Sequence, residues 1–412
     1  MQSGVNLHLV RDYNQGVILE AIRVEGGISR VALAQKTGLT AQTVTNIVRR
    51  LLDQDMILEI GRDVAAIGST GGKPRVRLSI NPAAGYAIGI QIDRDLISLI
   101  IVDLNGTLIA KAHLPMQQDH GPIAIIAEIA EAVRRLIQQS QIPSAKIIGI
   151  GVACPGPLDH DKGIVFAPPN LLGWDEVPIR DLLMQHLGYP VIVDNDATAA
   201  AIGVRWLGGA HFVSNFAFIY MGVGLGCGMF IDNHIYRGST TNAGELGHIT
   251  LNPDGPACYC GNRGCVELYC SPQAMVQAYA AHMRDKHAIG TLAHPSPPLT
   301  FVEIAQAAMG SDPVARAIVN QSAQALAQGV VSLVNIFDPE LIVLGGKGFH
   351  TIGPIYRETI QQALRDHSFA RRRHAIKVEL AVEGESAAAL GAATLILYEA
   401  FTLRMNTLTT TP

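Results

Sequence analysis

Three cysteines, Cys258, Cys260 and Cys265, stand within eight residues, ten residues after His248, in the run Gly-Glu-Leu-Gly-His-Ile-Thr-Leu-Asn-Pro-Asp-Gly-Pro-Ala-Cys-Tyr-Cys-Gly-Asn-Arg-Gly-Cys-Val-Glu. Three thiolates and one imidazole complete the tetrahedral shell of a structural Zn²⁺, and Gly261 and Gly264 permit a tight loop around the ion. The competing reading, buried thiols beside an unrelated histidine, does not account for the close Cys-x-Cys-x4-Cys spacing. With four protein ligands the ion has no open position, so its expected work is to hold a loop rather than to hydrolyse anything. Cys154, Cys227 and Cys270 fall outside the pattern and are expected as packed thiols.

At 412 residues the chain is long enough for two or three domains. Its N-terminus, with Arg11 and Asp12 early, does not read as a signal peptide. The apolar stretch Ala387 to Tyr398, bounded by Glu385 and Glu399, is too short to span a bilayer. The expectation is a cytoplasmic chain with no membrane insertion, in which clustered thiols hold metal rather than form disulfides. Net charge is −4, but residues 1–80 hold ten Lys+Arg against seven Asp+Glu, so a mildly basic head precedes an acidic body.

That head reads as a winged helix-turn-helix. Val17, Ile18, Ala21 and Ile22 mark one helix face, and Gly26-Gly27 end it. Ser29 can cap a second helix through Lys36, with Val31, Leu33 and Ala34 available to pack, and Gly38 supplies the turn. Thr40 can cap a third, whose Val44, Ile47, Val48 and Leu51 recur at i, i+3, i+4 and i+7. Its opposite face offers Gln42, Thr43 and Asn46 for base or sugar-phosphate contacts and Arg49 and Arg50 for phosphates. Strands Met56 to Arg62 and Arg75 to Ile80 would flank a wing loop, Gly68 to Pro74, with Lys73, Arg75 and Arg77 suited to the DNA backbone. Helix spacing alone also fits a bundle used for docking.

After Asn81-Pro82 strands alternate with helices. Tyr86 to Asp93 and Leu96 to Leu104 form a hairpin about Arg94-Asp95; the pattern continues with a helix Ile123 to Gln139 and strands Ile147 to Val152, Val191 to Asp194, Phe216 to Tyr220 and Leu341 to Leu344. Glycine loops at the strand ends imply a two-lobed α/β body with ligands between the lobes.

In these motifs the chain resembles the ROK family of repressors, open reading frames and sugar kinases, and within it the regulator branch of the xylose and N-acetylglucosamine repressors. The resemblance implies an α/β chain: a winged helix-turn-helix over 1–82, an N-terminal lobe over 83–205, and a C-terminal lobe over 206–402. These two lobes share an actin-like ATPase fold, with a terminal helix returning to the first. It carries the zinc ligands His248, Cys258, Cys260 and Cys265, and a sugar site of Gly156, Asn170, Asn195, Asp196, Glu245, His248 and Glu267. Asp196 would be the general base if kinase activity is retained, although an Asp opening a helix also serves as an N-cap.

Kinases of the family open with Asp-x-Gly-Gly-Thr, where this chain has Gln91-Ile92-Asp93-Arg94-Asp95-Leu96. Both glycines and the threonine are gone. Gly222, Gly224 and Gly226 and the Gly345-Gly346 pair remain as nucleotide-site candidates, though such glycines also persist where the fold needs them. The expected function is a sugar-responsive DNA-binding regulator, a repressor of carbohydrate-metabolism genes. Its expected partners are a double-stranded DNA operator, a sugar or sugar-phosphate effector, and a second copy in a homodimer or a dimer of dimers. The alternative is an ATP- and Mg²⁺-dependent sugar kinase with an appended DNA-binding domain. A regulator controlled by docking to a transport protein has no specific motif here.

Overall fold

The structure, a computed structural model, describes residues 7–62, 75–117, 119–210, 213–288, 299–382 and 386–401. The whole wing loop Gly68 to Pro74, with Lys73, lies outside the described residues, as do residues 402–412.

The head comprises α1 (Leu7–Glu25), β1 (Ile28–Ser29), α2 (Arg30–Thr37), α3 (Ala41–Asp53), β2 (Ile57–Arg62) and β3 (Val76–Ile80), with strand order β1-β3-β2. Its helix boundaries follow local chemistry. The Ser29 side chain accepts from Ala32 N, Gly38 ends α2 at φ 69°, and the Thr40 side chain accepts from Thr43 N. Val44, Ile47, Val48 and Leu51 are all buried, so truncating one of them would cost about 2–5 kcal/mol. Leu33 packs beside them, whereas Val31 is exposed, because it falls on the outer side of a helix only two turns long.

The body repeats one sheet plan twice. In the first lobe β4 (Tyr86–Ile92), β5 (Leu96–Asp103) and β6 (Leu108–Pro115) form an antiparallel meander. After α4 (Pro122–Ser140), β7 (Ile147–Cys154) pairs parallel to β4. A small ribbon, β8 (Leu158–Asp159) with β9 (Ile164–Val165), and α5 (Ile179–Leu187) lead to β10 (Val191–Asn195), which extends the sheet to the order β10-β7-β4-β5-β6. Helix α6 (Asp196–Trp206) follows directly.

In the second lobe β11 (Phe216–Met221), β12 (Leu225–Ile231) and β13 (His234–Tyr236) repeat the meander. Helices α7 (Glu267–Cys270), α8 (Pro272–Ala288), α9 (Phe301–Met309) and α10 (Pro313–Phe337) intervene before β14 (Leu341–Gly345). Then α11 (Gly353–His367), β15 (Lys377–Leu380) and α12 (Ala387–Phe401) complete an order of β13-β12-β11-β14-β15.

Each lobe's closing helix packs on the other lobe's sheet, which locks the two together. A Cβ on Gly151 of β7 would stand 1.7 Å from Ala392 O of α12, and one on Gly228 of β12 would stand 2.5 Å from Ala197 O of α6. The two helices cross backbone to backbone, since a Cβ on Gly391 would meet Ala199 O at 2.1 Å. The head joins the same core, with Ile18 and Ile22 of α1 clustering with Trp206, Leu397 and Phe401. No helix among the described residues is long and apolar enough to cross a membrane.

Candidate functional site

A cavity of about 570 Å³ opens between the lobes, and Gly156, Asn170, Asn195, Asp196, Glu245, His248 and Glu267 all line it. They arrive from far-separated segments: the turn after β7, the loop between β9 and α5, the β10–α6 junction, the stretch after β13, and the start of α7. The Asn195 side chain, rather than that of Asp196, caps α6, accepting from Ala197 N at 2.9 Å and Thr198 N at 3.4 Å. Among the described residues the Asp196 side chain accepts only from Ala197 N, at 2.8 Å, and it lines the cavity. Desolvation first, then the charge of Asp93, pushes its carboxyl up to about 7. Near neutral pH it can therefore both donate to and accept from a hydroxyl.

Glu267 accepts from Leu225 N at 2.8 Å, which explains Gly224: a Cβ there would stand 2.5 Å from Glu267 Oε2. The other candidate nucleotide glycines have packing reasons as well. A Cβ on Gly345 would meet the Phe218 ring at 2.5 Å, and Gly346, at φ 101°, would meet Met221 O at 2.5 Å. Gly222 and Gly226 are pressed by the Tyr220 ring and the Ala197 methyl, each at 2.9 Å from a built Cβ. Of the five, Gly224 and Gly226 line the same cavity as the polar residues above.

A second cavity, of about 820 Å³, lies on the other side of Asp93 and Tyr220, which line both. Two bonds tie the lobes there. Lys347 Nζ donates to Asp93 Oδ2 at 2.8 Å, and Gln91 Nε2 donates to the Tyr220 hydroxyl at 2.8 Å. Asp93, in the turn that stands where the expected Asp-x-Gly-Gly-Thr motif would lie, is thus already paired with a cation.

The cysteine loop brings His248, Cys258, Cys260 and Cys265 together, each offering one donor atom, all within 4.8 Å of one another. Cys260 Sγ and Cys265 Sγ are 3.8 Å apart, and Cys258 Sγ and His248 Nδ1 are 3.7 Å apart. A tetrahedron with metal–sulfur bonds of about 2.3 Å has edges of roughly 3.8 Å, so the donor set fits a four-coordinate ion. Gly264, at φ 60°, has Asn252 O 1.8 Å from where a Cβ would stand, so the loop closes only with glycine there. Cys154, Cys227 and Cys270 are buried elsewhere.

On the head, Gln42, Asn46 and Arg49 are exposed on α3, Thr43 is half-buried, and Gln42 Nε2 donates to Asn46 Oδ1 at 3.1 Å. Arg50 is turned inward, with its Nε and Nη2 shielded from solvent and meeting no hydrogen-bond partner among the described residues. Arg75 is exposed just before the returning strand, and Arg77, also exposed, donates from Nε to Gly27 O at 2.9 Å.

Four polar or aromatic cavity residues escaped the sequence reading as site residues: Asp93, Tyr220, Asn242 and Tyr259. Asn242 Oδ1 accepts from Leu158 N at 3.0 Å, joining the lobes at the rim. Nothing local marks that role. Tyr259 alone carried a signal, since a residue between two ligands of a tight loop points its side chain away from the ion.

The model of the ROK family matches residues 87–399, and that of winged helix-turn-helix DNA-binding domains matches residues 11–57. The xylose repressor of Caldicellulosiruptor bescii is 29% identical over 393 residues, covering 95% of this chain and 97% of that protein. The crystal structure of a ROK family transcriptional regulator, a homolog of E. coli Mlc, superposes with a TM-score of 0.79 at 25% identity, covering 96% of this chain and 98% of that one. A ROK family glucokinase from Streptomyces griseus, crystallised with glucose and AMPPNP, gives a TM-score of 0.66 at 29% identity, covering 76% of this chain and 99% of the kinase. The regulators match head and body alike, whereas the kinase matches about the body alone.

Proposed function

Because the chain belongs to the ROK family and is a sugar-responsive DNA-binding transcriptional repressor, we propose that a sugar held between its lobes controls the grip of its winged head on an operator. The observation that carries this reading is the convergence of six polar residues and Gly156 on one cavity with the start of α6, whose far end, Trp206, packs against the head. A sugar contacted by Asn195 and Asp196 at one end and by Glu245, His248 and Glu267 on the second lobe favours one interlobe angle. In a homodimer that angle sets the spacing of two recognition helices relative to successive major grooves.

Gln42, Thr43, Asn46 and Arg49 are the proposed recognition contacts, with Arg75 and Lys73 on the wing. The ion proposed for the His248-Cys258-Cys260-Cys265 shell is Zn²⁺, which when bound holds the loop carrying His248 and Tyr259 against the cavity. Its role there is structural. Acting on an operator, the protein works in the cytoplasm.

Asp196 favours one second reading, because a carboxyl near neutrality in a sugar cleft suits the general base of a kinase. Against it stands Asp93, which Lys347 occupies.

The deciding experiment retains genomic DNA fragments on the purified protein with and without a panel of sugars. Sugar-sensitive enrichment of a discrete palindrome is expected. No enrichment under any condition, together with ATP-dependent phosphorylation of a hexose, would replace the repressor with the kinase.

A further inference from the structure

Tyr259 is the one large aromatic side chain of the cysteine loop that faces the cavity, and it is 60% exposed there. Its ring stands exposed among the carboxylates and amides that line the cavity. It is nevertheless fixed: its hydroxyl lies 3.0 Å from His248 Nε2, and the two rings meet edge to face at 5.1 Å and 89°. Whichever of the two atoms donates, that bond presets the orientation of the ring before any ligand arrives. His248 is itself held from its other nitrogen, since Nδ1 stands 3.7 Å from Cys258 Sγ.

We propose that Tyr259 is a sugar-recognition residue whose ring is the stacking platform of the cleft, taking the C–H face of a pyranose while the carboxylates and amides that line the same cavity take its hydroxyls. This rests on the sugar reading of the cavity and adds the class of ligand. A pyranose is amphipathic: its hydroxyls project around the ring edge, whereas axial C–H bonds make its faces weakly positive and apolar. The face of an aromatic ring is its negative side, so the two faces attract and both shed water. Asn170, Asp196, Glu245 and Glu267 on the same cavity supply the polar edge. A preset phenol ring thus selects closed sugar rings over open-chain polyols that carry the same hydroxyls.

The test titrates full-length, zinc-loaded protein with D-glucose and D-xylose by calorimetry, as wild type, Tyr259→Phe and Tyr259→Ala, with zinc content measured for each. Tyr259→Ala is expected to weaken binding roughly 10-fold, and Tyr259→Phe, which keeps the ring, by no more than about 3-fold. Ligand-observed NMR is expected to show upfield shifts of the axial sugar protons with wild type and Tyr259→Phe that vanish with Tyr259→Ala. Should the alanine variant lose its zinc, Tyr259→Leu replaces it under the same criterion. Unchanged binding without the ring, or Tyr259→Phe as weak as Tyr259→Ala, overturns the stacking role and leaves the sugar cleft standing. Wild type that binds neither sugar overturns both.

Discussion

Arg23 of α1 stands over the indole of Trp206, its guanidinium carbon 4.3 Å from the ring centroid, and donates a hydrogen bond to the Trp206 carbonyl oxygen. Glu20 Oε1 holds the same guanidinium from the other side at 2.7 Å, and Phe401 meets the indole edge-on at 5.1 Å. Trp206 is the last residue of α6, and Asn195, at the cleft, caps the first turn. One helix of three turns therefore runs from the interlobe cavity to the head, and under the proposed function a displacement at its first turn would reach α1 through a buried aromatic contact.

Replacing Arg23 by Ala removes the cation and its bond to the end of α6, a loss of about 1–2 kcal/mol. The expected phenotype is uncoupling. Operator affinity in the absence of sugar stays within about 3-fold of wild type, sugar still binds, and the sugar-induced loss of operator binding shrinks about 10-fold. Fluorescence anisotropy of a labelled operator, titrated with and without sugar, reads both quantities; an unaltered sugar response would remove Arg23 from the coupling route.

Stripping the metal with a strong chelator should leave the head able to bind DNA while the cleft loses its sugar affinity. The four donors are confined to the loop between β13 and α7, which also delivers Glu245, His248 and Tyr259 to the cavity, whereas the head shares no residue with it. One zinc per chain by elemental analysis, and loss of that zinc in Cys260→Ser with retained operator binding, are the expected outcomes.

Much of this was legible in the sequence because it depends on local chemistry. Ser29 and Thr40 cap where a short hydroxyl precedes an apolar period, and the cysteine spacing closes a loop irrespective of the rest of the fold. The candidate sugar residues came from motif likeness, and the structure brings all seven to one cavity. What could not be read depends on partners distant in the chain. Lys347 finds Asp93 across 254 positions, and Arg23 finds Trp206 across 183, pairings that exist only once the lobes have met and the head has docked. Spacing also could not show where the cations sit: Arg50 is turned into the head, and Arg77, though exposed, bonds to Gly27 O.

Arg49 is exposed on α3, so Arg49→Ala should weaken operator and non-specific DNA alike and lower the slope of log K against log salt by about 1. Asn46→Ala should instead act on sequence choice, costing about 1–3 kcal/mol on the operator and little on unrelated DNA. Binding isotherms at several salt concentrations on both DNAs separate the two. Arg50→Ala, by contrast, is expected to register in thermal unfolding rather than in the salt slope.

Asp196 sets a pH dependence whose sign follows from its environment. Burial and the charge of Asp93 raise its carboxyl from 3.8 to about 7, so between those values the folded chain holds a proton that the unfolded chain has released. Its stabilising contribution is fully present below pH 3.8 and is lost as pH rises through 7. Water in the open cleft screens the effect, leaving about 1–2 kcal/mol between pH 5 and pH 8. Asp196→Asn keeps the shape without the charge, so the variant should be more stable than wild type at pH 8, with the two converging towards pH 5. Urea unfolding at four pH values would show that narrowing gap, and parallel curves would mean that Asp196 is already ionised at pH 5. The same ionisation bears on ligand choice: a neutral carboxyl can donate to a sugar hydroxyl, whereas the anion only accepts and repels a phosphorylated sugar. Affinity for a sugar phosphate should therefore fall more steeply than affinity for the free sugar as pH passes 7.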